Sequence, residues 1–239
     1  MINGLYSGAA AMQTLAKHQE LISSNLMHVN SSGHRRVQPA VKQRFEETSP
    51  NTTIDLGPEV EKLTSDFTPG RLTPTERPLD LSIAGDGFFV FEDDGGQPYL
   101  TRNGRLFRDP QSNILVNEDG IPIRGETGPI TIEPNISDRE ITVSADGTVS
   151  AGDREVGRIQ PVAYENNGTL IPVGALGFTP GPDAIESDVP VKINQFTHEL
   201  SNVHPVTELI ALIVNTRQHE AVEKATRTLS DSLKEYIRS

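Results

Sequence analysis

Histidines and closely spaced acids are the side chains of this chain best suited to chemistry, because it contains no cysteine. Without thiolates, disulfide bonds and thiolate metal sites are excluded. There are six histidines: His18, His28, His34, His198, His204 and His219. Zinc-binding helices place two histidines four residues apart, whereas His18 and His28 lie ten residues apart in one predicted helix. We therefore predict no metal site, and we expect the histidines to be exposed or to lie at an interface.

Two acidic stretches that end in glycine could suggest calcium, namely Asp93-Asp94-Gly95-Gly96 and Asn117-Glu118-Asp119-Gly120. Neither has the twelve-residue spacing with a terminal glutamate that an EF-hand loop uses. Polar tips of β-hairpins explain both stretches better. Gly85-Asp86-Gly87 precedes a Phe-Phe strand rather than a helix, so we predict a hairpin turn there and not a dinucleotide-binding loop.

The sequence contains none of the short motifs that mark common catalytic sites. It lacks the G-x-S-x-G nucleophile elbow, the H-E-x-x-H zinc motif and the Walker phosphate loop. Glycosidases leave no short motif, because only the fold brings their two carboxylates together. A self-contained soluble β-domain enzyme or ligand-binding protein therefore stays open as the alternative hypothesis. We predict no catalytic residue, no cofactor and no metal.

The net charge of −12 is spread unevenly along the chain. Residues 1–45 carry +4 and residues 196–239 carry −1, which leaves −15 for residues 46–195. An acidic middle argues against nucleic acid as a partner, because phosphate contacts need lysine and arginine. Arg35 and Arg36 form a basic corner near the start of the chain. A solvated loop explains this corner better than an anionic partner does.

Residues 1–20 lack a basic segment followed by a continuous apolar stretch, so they do not resemble a cleaved signal peptide. No apolar run approaches the roughly 20 residues that span a bilayer. We therefore expect no membrane insertion. The protein is expected either to be cytosolic or to be exported without a cleaved signal.

Proline divides the chain into three zones, because all 17 prolines lie from Pro39 to Pro205. The proline-free ends can form continuous helices. In residues 1–29, apolar residues recur at steps of three and four, which predicts an amphipathic helix. Asn30-Ser-Ser-Gly33 follows, and both asparagine and glycine tolerate the left-handed conformation that ends helices. We predict that the helix ends there and that Gly33 has a positive φ.

The other end predicts a second helix within residues 200–237. Its apolar residues also keep steps of three and four, and Ser201, Asn202 and Pro205 fit a helix start. A helix of about 33 residues exceeds the usual length in globular proteins and is typical of a coiled coil or a helical rod. The two terminal helices are therefore expected to pair with each other, or with another subunit, as a coiled-coil-like layer.

Between the helices, short alternating segments are separated by turn signals. Asn103-Gly104, Asp119-Gly120 and Asp146-Gly147 mark tight turns between predicted strands. These segments predict an all-β central domain of hairpins, and proline-rich stretches on either side predict extended arms. The predicted fold class is therefore α+β.

Five segments follow from these elements. They are an N-terminal assembly helix over 1–33, an extended arm over 34–78, a β-rich core domain over 79–180, an extended return arm over 181–199 and a C-terminal assembly helix over 200–239. An isolated amphipathic helix is only marginally stable, so we expect the ends to become ordered on assembly.

Three parts of the chain carry extended motifs. The first is "GLYSGAAAMQTLAKHQELISSNLMHVNSSGHRR", the second is "RPLDLSIAGDGFFVFEDDGGQPYLTRNGRLFRD" continued by "ILVNEDGIPIRGETGPITI", and the third is "HELSNVHPVTELIALIVNTRQHEAVEKATRTLSDSL". In this order, the three parts resemble the flagellar basal-body rod and hook family. The positions that match the terminal signatures are Ile22, Ser24, Asn25, Leu26, Val29, Asn30, Ser32 and Gly33, then Ser201, Asn202, Val203, Val206, Glu208, Ile213, Arg217, Glu220 and Lys224.

Some positions depart from the family pattern. His34 stands where the family usually has Phe or Tyr, Met27-His28 replaces a small residue and Asn, and His219 replaces an aromatic residue. These substitutions bear on how the ends pack.

The resemblance implies a structural subunit of the bacterial flagellar basal-body rod, part of the drive shaft, which polymerises helically through its terminal helices. It implies three kinds of partner, namely further copies of the chain, other flagellar rod and hook subunits, and the flagellar export apparatus. It also implies a periplasmic location in the basal body, reached without a cleaved signal peptide. The GDGFF form and the short core favour the proximal-type over the distal-type rod protein.

We predict an assembly interface on the two terminal segments, made of apolar stripe residues and residues that match the family signatures. Its members are Leu5, Met12, Ile22, Asn25, Leu26, Val29, Asn30, Gly33, Ser201, Asn202, Val203, Val206, Ile210, Ile213, Arg217, Val222 and Leu229.

Overall fold

The structure is a computed structural model, and it describes residues 2–49, 52–92, 96 and 98–238. The chain forms two compact units. The helical unit comprises Met1–Met27, Arg36–Asp66 and Val203–Ser239, and the β unit comprises His28–Arg35 and Phe67–Asn202. Two long helices and many antiparallel strands make the fold α+β, as predicted.

The helical unit contains both long helices. α1 spans Ile2–Met27 and α2 spans Pro205–Arg238. The predicted start of the second helix is confirmed, because Pro205 is its first residue. Proline is favoured there, since its fixed φ suits the helix and the first N–H of a helix has no partner within it.

A long hairpin completes the helical unit. β1 (Val37–Ser49) pairs antiparallel with β2 (Thr52–Ser65), with Val37 opposite Ser65 at its base. The extended arm predicted over 34–78 thus contains chain that is extended but paired with itself. Pro39 is tolerated because each strand of a two-stranded sheet has one open edge, where a missing N–H breaks no bond.

The β unit contains the remaining strands of the described residues. In chain order they are β3 (Leu72–Pro74), β4 (Asp80–Ala84), β5 (Phe89–Glu92), β6 (Pro98–Thr101), β7 (Gly104–Arg105), β8 (Phe107–Arg108), β9 (Leu115–Val116), β10 (Arg124–Gly125), β11 (Gly128–Pro129), β12 (Ile141–Val143), β13 (Thr148–Ala151), β14 (Arg154–Arg158), β15 (Ala163–Tyr164), β16 (Leu170–Val173), β17 (Gly177–Pro180), β18 (Glu186–Ser187), β19 (Lys192–Gln195) and β20 (Thr197–Glu199). Single 3₁₀ turns lie at Asp138–Glu140 and Asn167–Thr169.

The largest sheet of the β unit has four strands, in the order β16-β17-β6-β5. Two three-stranded sheets have the orders β19-β4-β7 and β12-β13-β14. The return arm predicted over 181–199 thus contributes strands to the unit, since β19 pairs with β4 and places Ile193 opposite Ile83. Both isoleucines are buried.

The predicted tight turns have two different outcomes. Gly120 and Gly147 both have positive φ, and the turn at Asp146-Gly147 joins the paired strands β12 and β13. The hairpin predicted at Gly85-Asp86-Gly87 is wrong, because β4 pairs with β19 and β7 whereas β5 pairs with β6. Asn103-Gly104 likewise leads from β6 in one sheet to β7 in another. Turn signals show where a strand ends and not which strand it pairs with.

The polar hairpin tip predicted at 93–96 stays a prediction, because Asp93, Asp94 and Gly95 lie outside the described residues.

Two apolar clusters form the core of the β unit, and β5 contributes to both. Phe89 and Phe91 belong to the larger cluster, whereas Val90 and Phe88, the residue before β5, belong to the smaller one. Successive side chains of a strand point to opposite faces, so both faces of β5 are covered. This double burial explains why the sequence here is continuously apolar rather than alternating.

Candidate functional site

The two helices run antiparallel and pack against each other within the helical unit. Asn215 Nδ2 donates a hydrogen bond of 3.0 Å to the carbonyl of Leu15. Nearer the start of α1, a Cβ added at Gly8 would lie 2.5 Å from Thr226 Oγ1. Glycine therefore permits a close approach of α2 that any other residue would obstruct.

The hairpin packs on α1 through other small residues. A Cβ added at Gly57 would lie 2.9 Å from the carbonyl oxygen of Ser7, and Thr14 Oγ1 donates to the carbonyl of Pro58 at 2.9 Å. The small residues at the start of α1 thus admit two neighbours at short distance.

Asn25 joins the end of α1 to the base of the hairpin. Its Oδ1 accepts from the Val37 N–H at 3.0 Å, and its Nδ2 donates to the Val37 carbonyl at 2.9 Å. Asn25 is buried, so this side chain holds the first residue of β1 and satisfies its own amide at the same time.

The first half of α2 has two different faces. Glu208 and Asn215 are buried on one side. The other side carries exposed apolar residues, which we call the α2 strip: Val206, Leu209, Ile210, Ile213 and Val214. With 3.6 residues per turn, the centre of this strip lies opposite Glu208 and Asn215. Val206 is 70% exposed and Ile213 is 56% exposed, so the strip has no cover within the described chain.

The turn that follows α1, residues 28–35, belongs to the β unit. Gly33 has a φ of 72°, as predicted, and its N–H donates to the carbonyl of Glu199 at 2.8 Å. A Cβ added there would lie 2.5 Å from the Arg102 carbonyl carbon and closer still to the Asn103 nitrogen. Both the conformation and the space therefore require glycine. The sequence predicts an extended arm directly after Gly33, whereas in the structure residues 28–35 belong to the β unit.

Glu199 is the buried centre of charge beside that turn. Its carboxylate accepts hydrogen bonds from Arg35 Nη2 at 2.7 Å, Arg102 Nε at 2.8 Å and the Gly70 N–H at 2.7 Å. All three charged residues are buried. A buried carboxylate persists only when it is paired and hydrogen-bonded in this way. The prediction that the basic corner is a solvated loop is therefore wrong for Arg35, because this side chain is buried and pairs with Glu199 of the same chain.

The adjacent arginine makes a separate ion pair within the helical unit. Arg36 Nε donates to Glu208 Oε1, and Glu208 is fully buried in the first turn of α2. An acid is favoured there because the N-terminal end of a helix carries partial positive charge. Arg35 and Arg36, which are neighbours in sequence, thus pair with Glu199 and Glu208, which both precede position 210 in the last fifth of the sequence.

His34 is buried in the same turn of the β unit. Its Nδ1 lies 2.8 Å from the carbonyl oxygen of Ala175, and its ring stacks on His28 with 5.0 Å between ring centres. Burial lowers the pKa of His34, the hydrogen bond to Ala175 opposes this, and His28 and Arg35 lower the pKa further. The expectation that the histidines are exposed or interfacial is wrong for His34, which is 2% exposed.

Sites for small ligands or metals have little support among the described residues. No three His, Asp or Glu side chains of the described chain lie close enough together to hold a metal ion. Asp109 and Asp146 have a lowered pKa because Ser112 and Thr148 donate hydrogen bonds to them, and both are exposed turn residues. A groove of about 480 Å³ lies between α1 and the hairpin, with Lys17 among the residues that line it. Within the part of the chain that the structure describes, neither helix is long and apolar enough to cross a membrane.

Residues 82–151 match the model of the family described as "Flagellar hook protein FlgE/F/G D1 domain". The "Flagellar basal-body rod protein FlgF" of Caulobacter vibrioides is 34% identical over 231 residues, which cover 94% of this chain and 92% of that protein. The chain belongs to the flagellar basal-body rod protein family.

Further relatives match this rod-family chain along nearly its whole length. The protein of the same name from Salmonella typhimurium is 29% identical over 250 residues, which cover 97% of this chain and 96% of that protein. The "Flagellar basal-body rod protein FlgG" of Bacillus subtilis is 25% identical over 266 residues, which cover 99% of this chain and 97% of that protein. The resemblance found in the sequence motifs is thereby confirmed.

The predicted interface residues of this rod-family chain lie in three environments. The exposed ones are Asn30, Val206, Ile210, Ile213 and Arg217. The half-buried ones are Leu5, Met12, Leu26, Val29, Ser201, Asn202, Val222 and Leu229. The buried ones are Ile22, Asn25, Gly33 and Val203. The structure brings several of them into contacts inside the chain, as for Asn25 and Gly33. That they also form an assembly interface stays a prediction.

The predicted list missed two kinds of residue. It omitted Leu209 and Val214, although both continue the apolar spacing of the α2 strip. It also omitted the buried acids Glu199 and Glu208 and their arginines. A usable signal existed for the acids, because Glu199 and Glu208 are the only Asp, Glu, Lys or Arg residues from position 193 to position 216 of the sequence.

Proposed function

We propose that this chain is a structural subunit of the bacterial flagellar basal-body rod, which polymerises helically through its terminal helices. Its partners are further copies of the chain, other flagellar rod and hook subunits, and the flagellar export apparatus. It works in the periplasmic part of the basal body, which it reaches without a cleaved signal peptide, and it is not an enzyme. The names of its relatives, which describe flagellar basal-body rod proteins, support the rod role.

The observation that carries the proposal is the exposed α2 strip. A fully buried Val, Leu or Ile side chain contributes about 1.5–3 kcal/mol relative to an exposed one. The strip contains five such residues within nine positions. Covering even part of it would stabilise an assembly by several kcal/mol. Contiguous exposed apolar surface of this kind marks protein interaction sites.

The proposed occupant of the strip is the helical layer of a neighbouring subunit. α2 is 34 residues long and α1 is 26 residues long, so both are long enough for extended helix packing between subunits. Coiled-coil-like pairing of the ends, with 1–33 and 200–239 as assembly segments, belongs to this proposal. That the chain is a proximal-type rather than a distal-type rod protein also stays a prediction, which rests on the GDGFF form and the short core.

Replacing Ile213 by Asp tests the proposal. A carboxylate at the centre of the strip would have to be desolvated at the interface, which we expect to abolish rod assembly and swimming. Ile213 is 56% exposed, so the purified variant should unfold at nearly the same urea concentration as the wild type. Swimming in soft agar and the variant's presence in isolated basal bodies are the measurements.

The matched control is Gln218→Asp, which adds the same side chain at an exposed position of α2 outside the strip. It should assemble and support swimming. Normal swimming of the Ile213→Asp strain would overturn the proposed role of the strip. The alternative, a self-contained β-domain enzyme or ligand-binding protein, predicts no difference between the two variants.

A further inference from the structure

His28 and His34 lie on the turn between α1 and β1, and the fold brings their rings together. The rings are nearly parallel, with 25° between their planes and 5.0 Å between their centres. His34 is buried, whereas His28 is half-buried. Both residues belong to the β unit, so the stack is a contact within one compact unit.

The hydrogen bond of His34 fixes which nitrogen carries the proton. The carbonyl oxygen of Ala175 can only accept, so Nδ1 must be the donor across the 2.8 Å contact. In the neutral ring, Nε2 is then unprotonated. A second proton must therefore bind at Nε2, which is buried and has no hydrogen-bond partner among the described residues.

The groups around His34 disfavour a positive charge on its ring. His28 stacks on the ring, and Arg35 is the next residue along the chain. Glu199 lies beside the turn, but its carboxylate already accepts from Arg35, Arg102 and the Gly70 N–H. The loop 174–176 and residues 200–202, which also contact the turn, contain no ionisable side chain.

We propose that the His28–His34 stack is a proton-sensitive clasp, which holds the turn 28–35 closed on the β unit while His34 is neutral and releases it when His34 is protonated. Two backbone hydrogen bonds close the turn on the return segment. Gly33 N–H donates to Glu199 O at 2.8 Å, and Asn202 N–H donates to His34 O at 3.4 Å. Opening the turn breaks both and exposes Nε2 to water, where it can be protonated. The clasp is independent of the proposed rod function.

The direction of the pH effect follows from linkage. Burial lowers the pKa of His34 in the closed turn, whereas the pKa of a solvated histidine is about 6.5. The open turn therefore binds more protons than the closed turn as the pH falls below that value. Closure is fully stable above about pH 6.5 and is lost progressively below it.

Hydrogen exchange of residues 28–35 in the full chain tests the clasp, measured by mass spectrometry from pH 7.5 to pH 5.5. At each pH, the protection of this peptide in the wild type is divided by that in His34→Gln, which cancels intrinsic exchange rates. Glutamine can donate to the Ala175 carbonyl but does not titrate. We expect this ratio to fall below about pH 6.5 by up to about tenfold per pH unit, the limit for one proton.

His204→Gln is the matched control, because His204 is an exposed histidine outside the β unit. Its ratio to the wild type should not change with pH. If His34→Gln does not fold, His34→Phe replaces it, since phenylalanine keeps an aromatic ring on His28 without a titrating nitrogen. A wild-type ratio that stays constant with pH against either His34 variant would overturn the clasp.

Discussion

Single residues of this chain are constrained by backbone conformation and by buried charge. Gly33 combines a positive φ with the absence of space for a Cβ. Glu199 unites two arginines and one backbone N–H that lie far apart in sequence. We expect substitutions at such positions to be destabilising, because contacts from several sides fix each of these residues.

Replacing Gly33 by Val should destabilise the β unit by more than the same change at Gly120. Both glycines have positive φ, so valine adds backbone strain of about 1–3 kcal/mol at each. Only at Gly33 does the new Cβ also clash with backbone, at Arg102 and Asn103, since nothing lies within 4 Å of a Cβ at Gly120. Urea unfolding of both variants gives the comparison, and equal losses would contradict the packing argument.

The elements of the helical unit meet through small residues on α1. α2 approaches at Gly8 and the hairpin approaches at Ser7. In the first half of α2, by contrast, the five apolar residues of the α2 strip are exposed. Apolar spacing alone does not distinguish residues exposed on the strip from residues that pack inside the chain. The predicted assembly interface therefore contains both kinds.

A double-mutant cycle at Gly8 and Thr226 measures this close approach. In a Thr226→Ala background, Gly8→Ala should stabilise α1 by about 1 kcal/mol, the usual gain of alanine over glycine in a helix. In the wild-type background this gain should be lost, because the new Cβ would lie 2.5 Å from Thr226 Oγ1. Unfolding followed by helical circular dichroism gives both values. Additive effects would mean that α2 does not approach α1 at this position.

At the scale of the whole molecule, the two units differ in how completely they bury their apolar residues. The β unit has two buried clusters, and β5 is covered on both faces. The helical unit leaves the α2 strip exposed. Local stability is therefore expected to be highest in the β unit and to rise in the helices on assembly.

Hydrogen exchange on the purified monomer and on assembled rods checks this expectation. In the monomer, Phe89–Glu92 should exchange slowest, and residues 206–214 should exchange faster because only one face of α2 is covered. Assembly should slow residues 206–214 by at least about tenfold. If residues 206–214 are as protected as Phe89–Glu92 in the monomer and do not change on assembly, the helices are already fully partnered within the chain.

The sequence by itself determined both terminal helices, the α+β class, the left-handed glycine at position 33 and the family. These features depend on short-range causes, such as the spacing of apolar residues along a helix, the fixed φ of Pro205 and the tolerance of glycine for positive φ. They can therefore be read from neighbouring positions.

Only the tertiary structure decided which strands pair, which charges are buried and how the histidines meet. Gly85 and Gly87 connect two sheets because β4 finds its partner in β19, more than a hundred residues away. Arg35 can be buried because Glu199, which is 164 residues away in sequence, accepts a hydrogen bond from it. Such contacts depend on the packing of segments that are remote in sequence. The residues next to Arg35 or Gly85 therefore do not predict which partners these residues have.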